Sequence, residues 1–374
     1  MQELNTLGGA AIRGAAIRGA AIRGPALRVA GSPEAIGRQL GAHVKPVFAD
    51  YMGQSSAWQA VSRWRGSAFA QQLRAAAMQH FPAYVAEIDA MAQALDWPVD
   101  DLFLWNCRGE LIHNAPDGCT TLAARTPAAG LIAHNEDGDP WLHGRCSVVE
   151  VEPDGRPGFV SFYYPGSLPG HTFAATRAGL AQAINNVRIR EPRVGVPRMI
   201  LARAVLDCAS LDEALALLRD TPRASGFHHT IGGTDAAGDV RVHSVEATAQ
   251  RCSALEVSAP SGHANHLIHA GFEREAQIVT DSSRDRQIRL GELLPALGPQ
   301  PDGAAFVRTL QDRAGAGLPI FRDDPHDPDD ENTLATACMR IEQRGVAFDV
   351  WQGGARVLGF YIDSNARQAG DAVR

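Results

Sequence analysis

A mixed α+β protein, layered with largely antiparallel sheets, is the fold the sequence predicts, and three observations predict it. Apolar residues in the first third recur at helical spacing. At Cys119 the pattern changes abruptly to short strand-like runs cut by Gly and Pro turns. Beyond it, helical and strand-like stretches are interspersed, so strands cluster with helices on either side of them.

In chain order, residues 10–24 are AAIRG three times over. Three five-residue units are too small to be solenoid repeats, so residues 1–24 are expected to be a disordered low-complexity extension, with folded structure starting near Leu27. Ser32 is placed to cap a helix and Pro33 to occupy its first position, and Ile36, Leu40, Val44 and Val47 follow at helical spacing. Helical patterns continue through SAFAQQLRAAAMQHF, PAYVAEIDAMAQALDW and PVDDLFLWNCRGELI, which makes residues 25–118 mainly helical. Strands follow in CTTLAAR, GLIAHNE, CSVVEVEP and GFVSFYY, a helix over 197–219, and strands within FHHTIGGTDAAGDVRVHSVEA. Helices are expected at 282–295 and 302–311, and closing strands in TLATACMRIEQRGVAFDVW and RVLGFYI. No linker stands out after residue 25, so 119–374 and the helical segment form one integrated fold.

The net charge of −7 argues against a nucleic-acid partner, because phosphate recognition needs clustered Lys and Arg. No apolar run approaches the ~20 residues of a membrane helix. The six cysteines contain no CxxC pair and no dense framework, which fits a reduced, cytoplasmic compartment. G-x-S-x-G, Walker, HExxH and Rossmann signatures are missing; PGSLPG at 165–170 puts its serine one place off a nucleophile elbow.

Three stretches invite a chemical reading. His263, His266 and His269 in HANHLIH, with His228, His229 and His243 upstream, suggest a metal-dependent hydrolase as a rival, but spacings of three and six suit one helix face poorly, and surface or network histidines are expected. RDDPHDPDDEN at 322–332 lacks the alternating pattern of a calcium loop and reads as a solvated loop. The third is DGCTT at 117–121. A thiol nucleophile needs a base, and cutting the bond before Cys119 would supply one as its own α-amine, which titrates near ~7.7–8.0 unperturbed. Gly118 suits such a cut because it has no Cβ to keep the thiol from its carbonyl.

DGCTT, LIAHNEDGD, ANHL at 264–267, DSSRDRQIRL at 281–290 and TLATACMRIEQRGVAFDVW together resemble the acyl-coenzyme A:6-aminopenicillanic acid acyltransferase family, a branch of the N-terminal-nucleophile hydrolases. The resemblance spans about residues 28–363. It implies a four-layer αββα sandwich, autocatalytic cleavage between Gly118 and Cys119, and α and β chains from one precursor. It implies Cys119 as nucleophile and Asp137, 18 positions on, as the residue that orients the new amine. Asn265 is implied at the oxyanion and Arg286 beside the nucleophile, with Arg284 as the alternative alignment. Asn185, Asn186, Thr120, Glu136 and His266 are further candidates for substrate or oxyanion contacts. HNEDGD and NHL depart from the expected versions of those segments, which leaves the substrate more open than the mechanism. The expected activity is hydrolysis of a small N-acyl amine or amino-acid amide, or acyl transfer from an amide or thioester, with no metal and no cofactor; a non-catalytic binding protein on the same fold is the other alternative. A homo-oligomer is compatible with all of this.

Overall fold

The computed structural model describes residues 12–13, 27–113 and 117–364. Apart from Ile12–Arg13, which pair with the last strand, the AAIRG repeat lies outside the described residues.

The helical segment begins as its sequence dictates. Ser32 caps the helix Pro33–Gln54 by accepting from Ala35 N, Pro33 sits in the first turn, and Ile36, Leu40, Val44 and Phe48 are buried along one face. That helix packs on Pro82–Leu95, and two glycines set the separation. A Cβ at Gly37 would stand 2.1 Å from the carbonyl oxygen of Glu87, and one at Gly41 2.6 Å from that of Met91.

The strands form two sheets. In the seven-stranded sheet the order is Ile12–Arg13, Ala355–Asp363, Gly345–Gln352, Asn332–Glu342, Gly130–Gly138, Asp117–Arg125 and Ser261–His263. The nine-stranded sheet runs Cys252–Glu256, Val240–Ala247, Gly226–Thr234, Ala181–Ile189, Phe173–Thr176, Phe159–Tyr163, Ser147–Pro153 and Leu27–Gly31, with Gln277–Ile278 added to Ala181–Ile189. All named pairings are antiparallel except that of Leu27–Gly31 with Ser147–Pro153. The sheets touch face to face, Asp117–Arg125 against Ala181–Ile189. Helices Asp281–Leu293 and Gly303–Leu310 pack on the seven-stranded sheet, where Leu290, Phe306 and Leu310 meet Leu122, Leu131 and Ala133. No helix among the described residues is long and apolar enough to cross a membrane.

Several elements differ from the sequence expectation, among them the short strands Leu27–Gly31, Cys252–Glu256 and Gln277–Ile278. The helix expected over 197–219 is two, Arg198–Val205 and Leu211–Asp220, because Ser210 breaks the run and caps the second by accepting from Glu213 N. Phe173–Thr176 and Ala181–Ile189 are strands that the pattern does not announce. Every residue in them is buried, so there is no polar face to alternate with.

A buried ion cluster joins the helical segment to the rest. Arg203 donates to Asp207 at 2.7 Å and lies 3.3 Å from Glu87, while Tyr84 donates to Asp207 at 2.8 Å. Arg203→Ala leaves two carboxylates uncompensated and should cost about 3–5 kcal/mol, read as a lowered midpoint in urea denaturation.

Candidate active site

The antiparallel register of Asp117–Arg125 with Gly130–Gly138 places Cys119 opposite Glu136, Thr121 opposite His134 and Gly118 opposite Asp137. Because side chains alternate along a strand, Cys119, Thr121, His134 and Glu136 share the face toward the other sheet, and Asp137 and Thr120 the face toward the helices. Cys119 is 5% exposed, with Sγ 3.7 Å from Glu136 Oε2.

On the other side of the Cys119 strand, Thr121 pairs with His263 in Ser261–His263. Continuing that antiparallel register by two residues brings Asn265 beside Cys119. Asn265 Oδ1 accepts from the Cys119 N–H at 2.9 Å, its Nδ2 donates to Asn186 O at 3.0 Å, and its N–H donates to Ser283 Oγ at 2.8 Å. Arg286 enters from the helix Asp281–Leu293, where Ser282, Arg286 and Leu290 are buried at spacings of one turn. Its guanidinium donates to the Cys119 carbonyl, to Thr120 Oγ1 at 2.9 Å and to Asn265 Oδ1 at 2.6 Å. Both backbone polar groups of Cys119 are thus held by side chains, one from the extension of Ser261–His263 and one from the helix Asp281–Leu293. Arg284 is half exposed and pairs with Asp281, so it takes no part.

Asp137 is fully buried; Oδ1 accepts from Thr333 Oγ1 at 2.6 Å, and Oδ2 has no hydrogen-bond partner among the described residues. Burial pushes its carboxyl above the usual range, against the pull of Arg286. Glu331 stands beside it, 2.8 Å from Arg322 and 3.4 Å from Arg188. A Cβ at Gly118 would lie 2.5 Å from Glu331 Oε2 and 3.3 Å from Asp137 Cβ, so only glycine fits this position without displacing a carboxylate.

The acidic stretch 322–332 is solvent-exposed over 323–326 and 328–330, as its charge suggests, but buries Arg322, Asp327, Glu331 and Asn332. Arg322 is 1% exposed and pairs with Asp327 and Glu331, both also buried. Arg322, within the stretch, neutralises these two buried carboxylates, while the other aspartates face solvent.

The other candidates divide. Thr120 accepts from Arg286, and Asn186 supplies the carbonyl that holds Asn265. His266 Nδ1 lies 2.7 Å from Ser283 Oγ, one bond removed from Asn265, and burial lowers its pKa to about 4. Asn185 belongs to a network on the sulfur's face: its Oδ1 accepts from Thr121 Oγ1 at 2.7 Å and from His228 Nδ1 at 3.0 Å. His263, His266 and His269 do not converge on one point. His263 bonds Glu246 and stacks on His228 at 3.5 Å, while His269 bonds Ser244 and Ser253. These histidines belong to hydrogen-bond networks, the reading the sequence favoured over the rival metal site. Among the described residues only Cys119, His134 and Glu136 bring such atoms together, and there Nε2 and Oε2 face each other across a 3.0 Å hydrogen bond.

His134, Tyr164, Glu331, Thr333 and Ser283 were not expected at the site. Only His134 carried a signal, standing two residues before Glu136 on the same strand face. A cavity of about 400 Å³ opens further along that face, lined by Thr121, Ala123, His228, Ser244 and His263; Cys119 does not line it.

A chain with a cysteine so held has relatives. It is 28% identical over 160 residues to the beta-alanyl-dopamine/carcinine hydrolase of Drosophila melanogaster, a match covering 37% of this chain and 41% of that protein. The family model for acyl-coenzyme A:6-aminopenicillanic acid acyl-transferase matches residues 124–353, which takes in Asp137, Asn185, Asn186, Asn265 and Arg286 and begins five residues after Cys119. With more than half its length matched, the chain belongs to the acyl-coenzyme A:6-aminopenicillanic acid acyl-transferase family.

Proposed function

We propose that this chain is a self-processing N-terminal-nucleophile cysteine enzyme, built as a four-layer αββα sandwich, that hydrolyses a small N-acyl amine or amino-acid amide or transfers its acyl group through a thioester on Cys119. The observation that carries this reading is the clamp on Cys119: its N–H on Asn265, its carbonyl on Arg286, its sulfur against Glu136.

Each proposed role follows from that placement. A cut after Gly118 turns the nitrogen held by Asn265 into an α-amine, whose ordinary pKa of ~7.7–8.0 lets it take the thiol proton and return it to a leaving amine. The unpartnered Oδ2 of Asp137, opposite Gly118, is the acceptor for that amine. The thiolate attacks the substrate carbonyl. Asn265 Nδ2 donates one hydrogen to Asn186, and the other is the proposed donor to the oxyanion, with backbone N–H groups. Arg286 keeps Asn265 and the Cys119 carbonyl in place. Thr120, Asn186 and His266 act through these groups and are positioning residues in this scheme.

The acceptor decides between the two outcomes, water giving hydrolysis and an amine giving transfer. The Drosophila relative is named as a hydrolase and the family as an acyl-transferase. We favour hydrolysis, in a cytoplasmic protein whose partner is a small acyl amide or thioester.

Mass spectrometry of the denatured wild-type protein, after reaction with a thiol-directed acyl probe, should give two chains parted between Gly118 and Cys119, with the label on the second. Cys119→Ala should give one chain and no turnover. An active, unbroken wild-type chain overturns the self-processing reading, and an unbroken, unreactive one favours a binding protein. Asn265→Ala should lower kcat by about 10²–10³; steady-state kinetics showing an unchanged kcat would remove Asn265 from the oxyanion.

A further inference from the structure

The self-processing reading leaves one proton without a destination, and the role inferred for Glu136 below depends on that reading. In the uncut chain the nitrogen of Cys119 is an amide that donates to Asn265, with no basic lone pair. The α-amine that serves turnover does not yet exist. We infer that Glu136, paired with His134, takes the thiol proton of Cys119 during self-cleavage.

The hydrogen bonds around the pair fix its resting state. The carbonyl of His263 can only accept, so the Asn185 atom 3.2 Å from it is Nδ2, and the opposite atom is Oδ1. Oδ1 in turn can only accept, so the single hydroxyl proton of Thr121 goes to it. His134 Nδ1, 2.8 Å from Thr121 Oγ1, must then carry a hydrogen to donate there. What remains is the 3.0 Å contact between His134 Nε2 and Glu136 Oε2, which holds one proton between two atoms. Tyr164 donates to the other carboxyl oxygen at 2.8 Å, which fixes the plane of the group.

Such a pair has room for one more proton, and Oε2 is the atom that faces sulfur at 3.7 Å. As the thiol proton reaches Oε2, the shared proton is held on His134 Nε2. The Cys119 sulfur bonds to the carbonyl carbon of Gly118, the bond from that carbon to the Cys119 nitrogen breaks, and the pair returns its extra proton to the departing nitrogen. The products are a Gly118 thioester and a free α-amine. Water then splits the thioester, restoring the thiol and leaving a carboxyl on Gly118. The pair ends as it began.

Among the groups facing Glu136 are Cys119 and His134 on its own sheet, Tyr164, and the Cys146 thiol, which burial first and Glu136 second push up; Arg286 acts on His134 from the helix side.

The test follows cleavage of the full-length chain over time by intact mass, in wild type and Glu136→Gln, with thermal unfolding as the control for folding. The inference predicts that wild type parts after Gly118, while Glu136→Gln folds and cleaves at least about 100-fold more slowly, the loss typical of a removed acid–base group. Cleavage of Glu136→Gln at the wild-type rate overturns the role of Glu136 and leaves the self-processing reading standing. A wild-type chain that never parts overturns that reading and this inference with it. Should Glu136→Gln not fold, Thr121→Val decides. It keeps the shape but removes the hydroxyl that fixes the His134 proton, and slower cleavage with a displaced pH–rate profile supports the inference, whereas an unchanged rate and profile overturn it.

Discussion

The register between Asp117–Arg125 and Gly130–Gly138 is the constraint on which the site depends. It puts Cys119 across from Glu136 and Gly118 across from Asp137, so sulfur and scissile bond meet carboxyl groups on opposite faces of the same sheet. A slip of one residue would exchange those faces, turning the sulfur toward the helices and Asp137 toward the other sheet. The neighbouring strand Ser261–His263 is tied to the same frame through the pairing of Thr121 with His263, and Asn265 reaches Cys119 because that register runs on. Near-complete burial on both faces makes the register expensive to change: Leu122 and Leu131 pack beneath the helices, while Ala123 and Ile132 pack between the sheets.

Around Gly118 the protein concentrates charge out of contact with water. Arg188, Arg286 and Arg322 stand among Asp137, Asp327 and Glu331, all at most 7% exposed. Buried charges are tolerated when paired and hydrogen-bonded, and each guanidinium here has a carboxylate or several polar partners. The exception is one oxygen of Asp137, which has no hydrogen-bond partner among the described residues and lies opposite the bond proposed to be cut. A lone acceptor held there is preorganised for an ammonium that forms only when the backbone parts. The sulfur's face is built differently, from a neutral chain of hydroxyl, carboxamide and imidazole groups. Charge thus lies behind the strand and shared protons in front of it.

Much of this was legible in the sequence, and the reasons differ by element. The strands flanking Cys119 stood out because Gly and Pro turns bound them. Asn265 and Arg286 could be named only through family resemblance, since a carboxamide after a short edge strand and an arginine on a polar helix have no periodic signature. Ala181–Ile189, which carries Asn185 and Asn186, was hidden by burial on both faces. Glu331 was concealed by its company, because a run of aspartates suggests solvent until Arg322 is seen to lie inside it. Tyr164 and Thr333 reach the site only through tertiary packing, which local pattern does not encode.

The claim at the centre of this account is that the nitrogen beside Asn265 becomes the free amine of the nucleophile itself. N-terminal sequencing of the chain that carries the acyl group, isolated by quenching the enzyme in acid during turnover, tests it most directly. The account predicts a chain beginning Cys-Thr-Thr-Leu with the acyl group on its first residue. An acyl group on any other residue, or on a chain in which Gly118 still precedes Cys119, would contradict it.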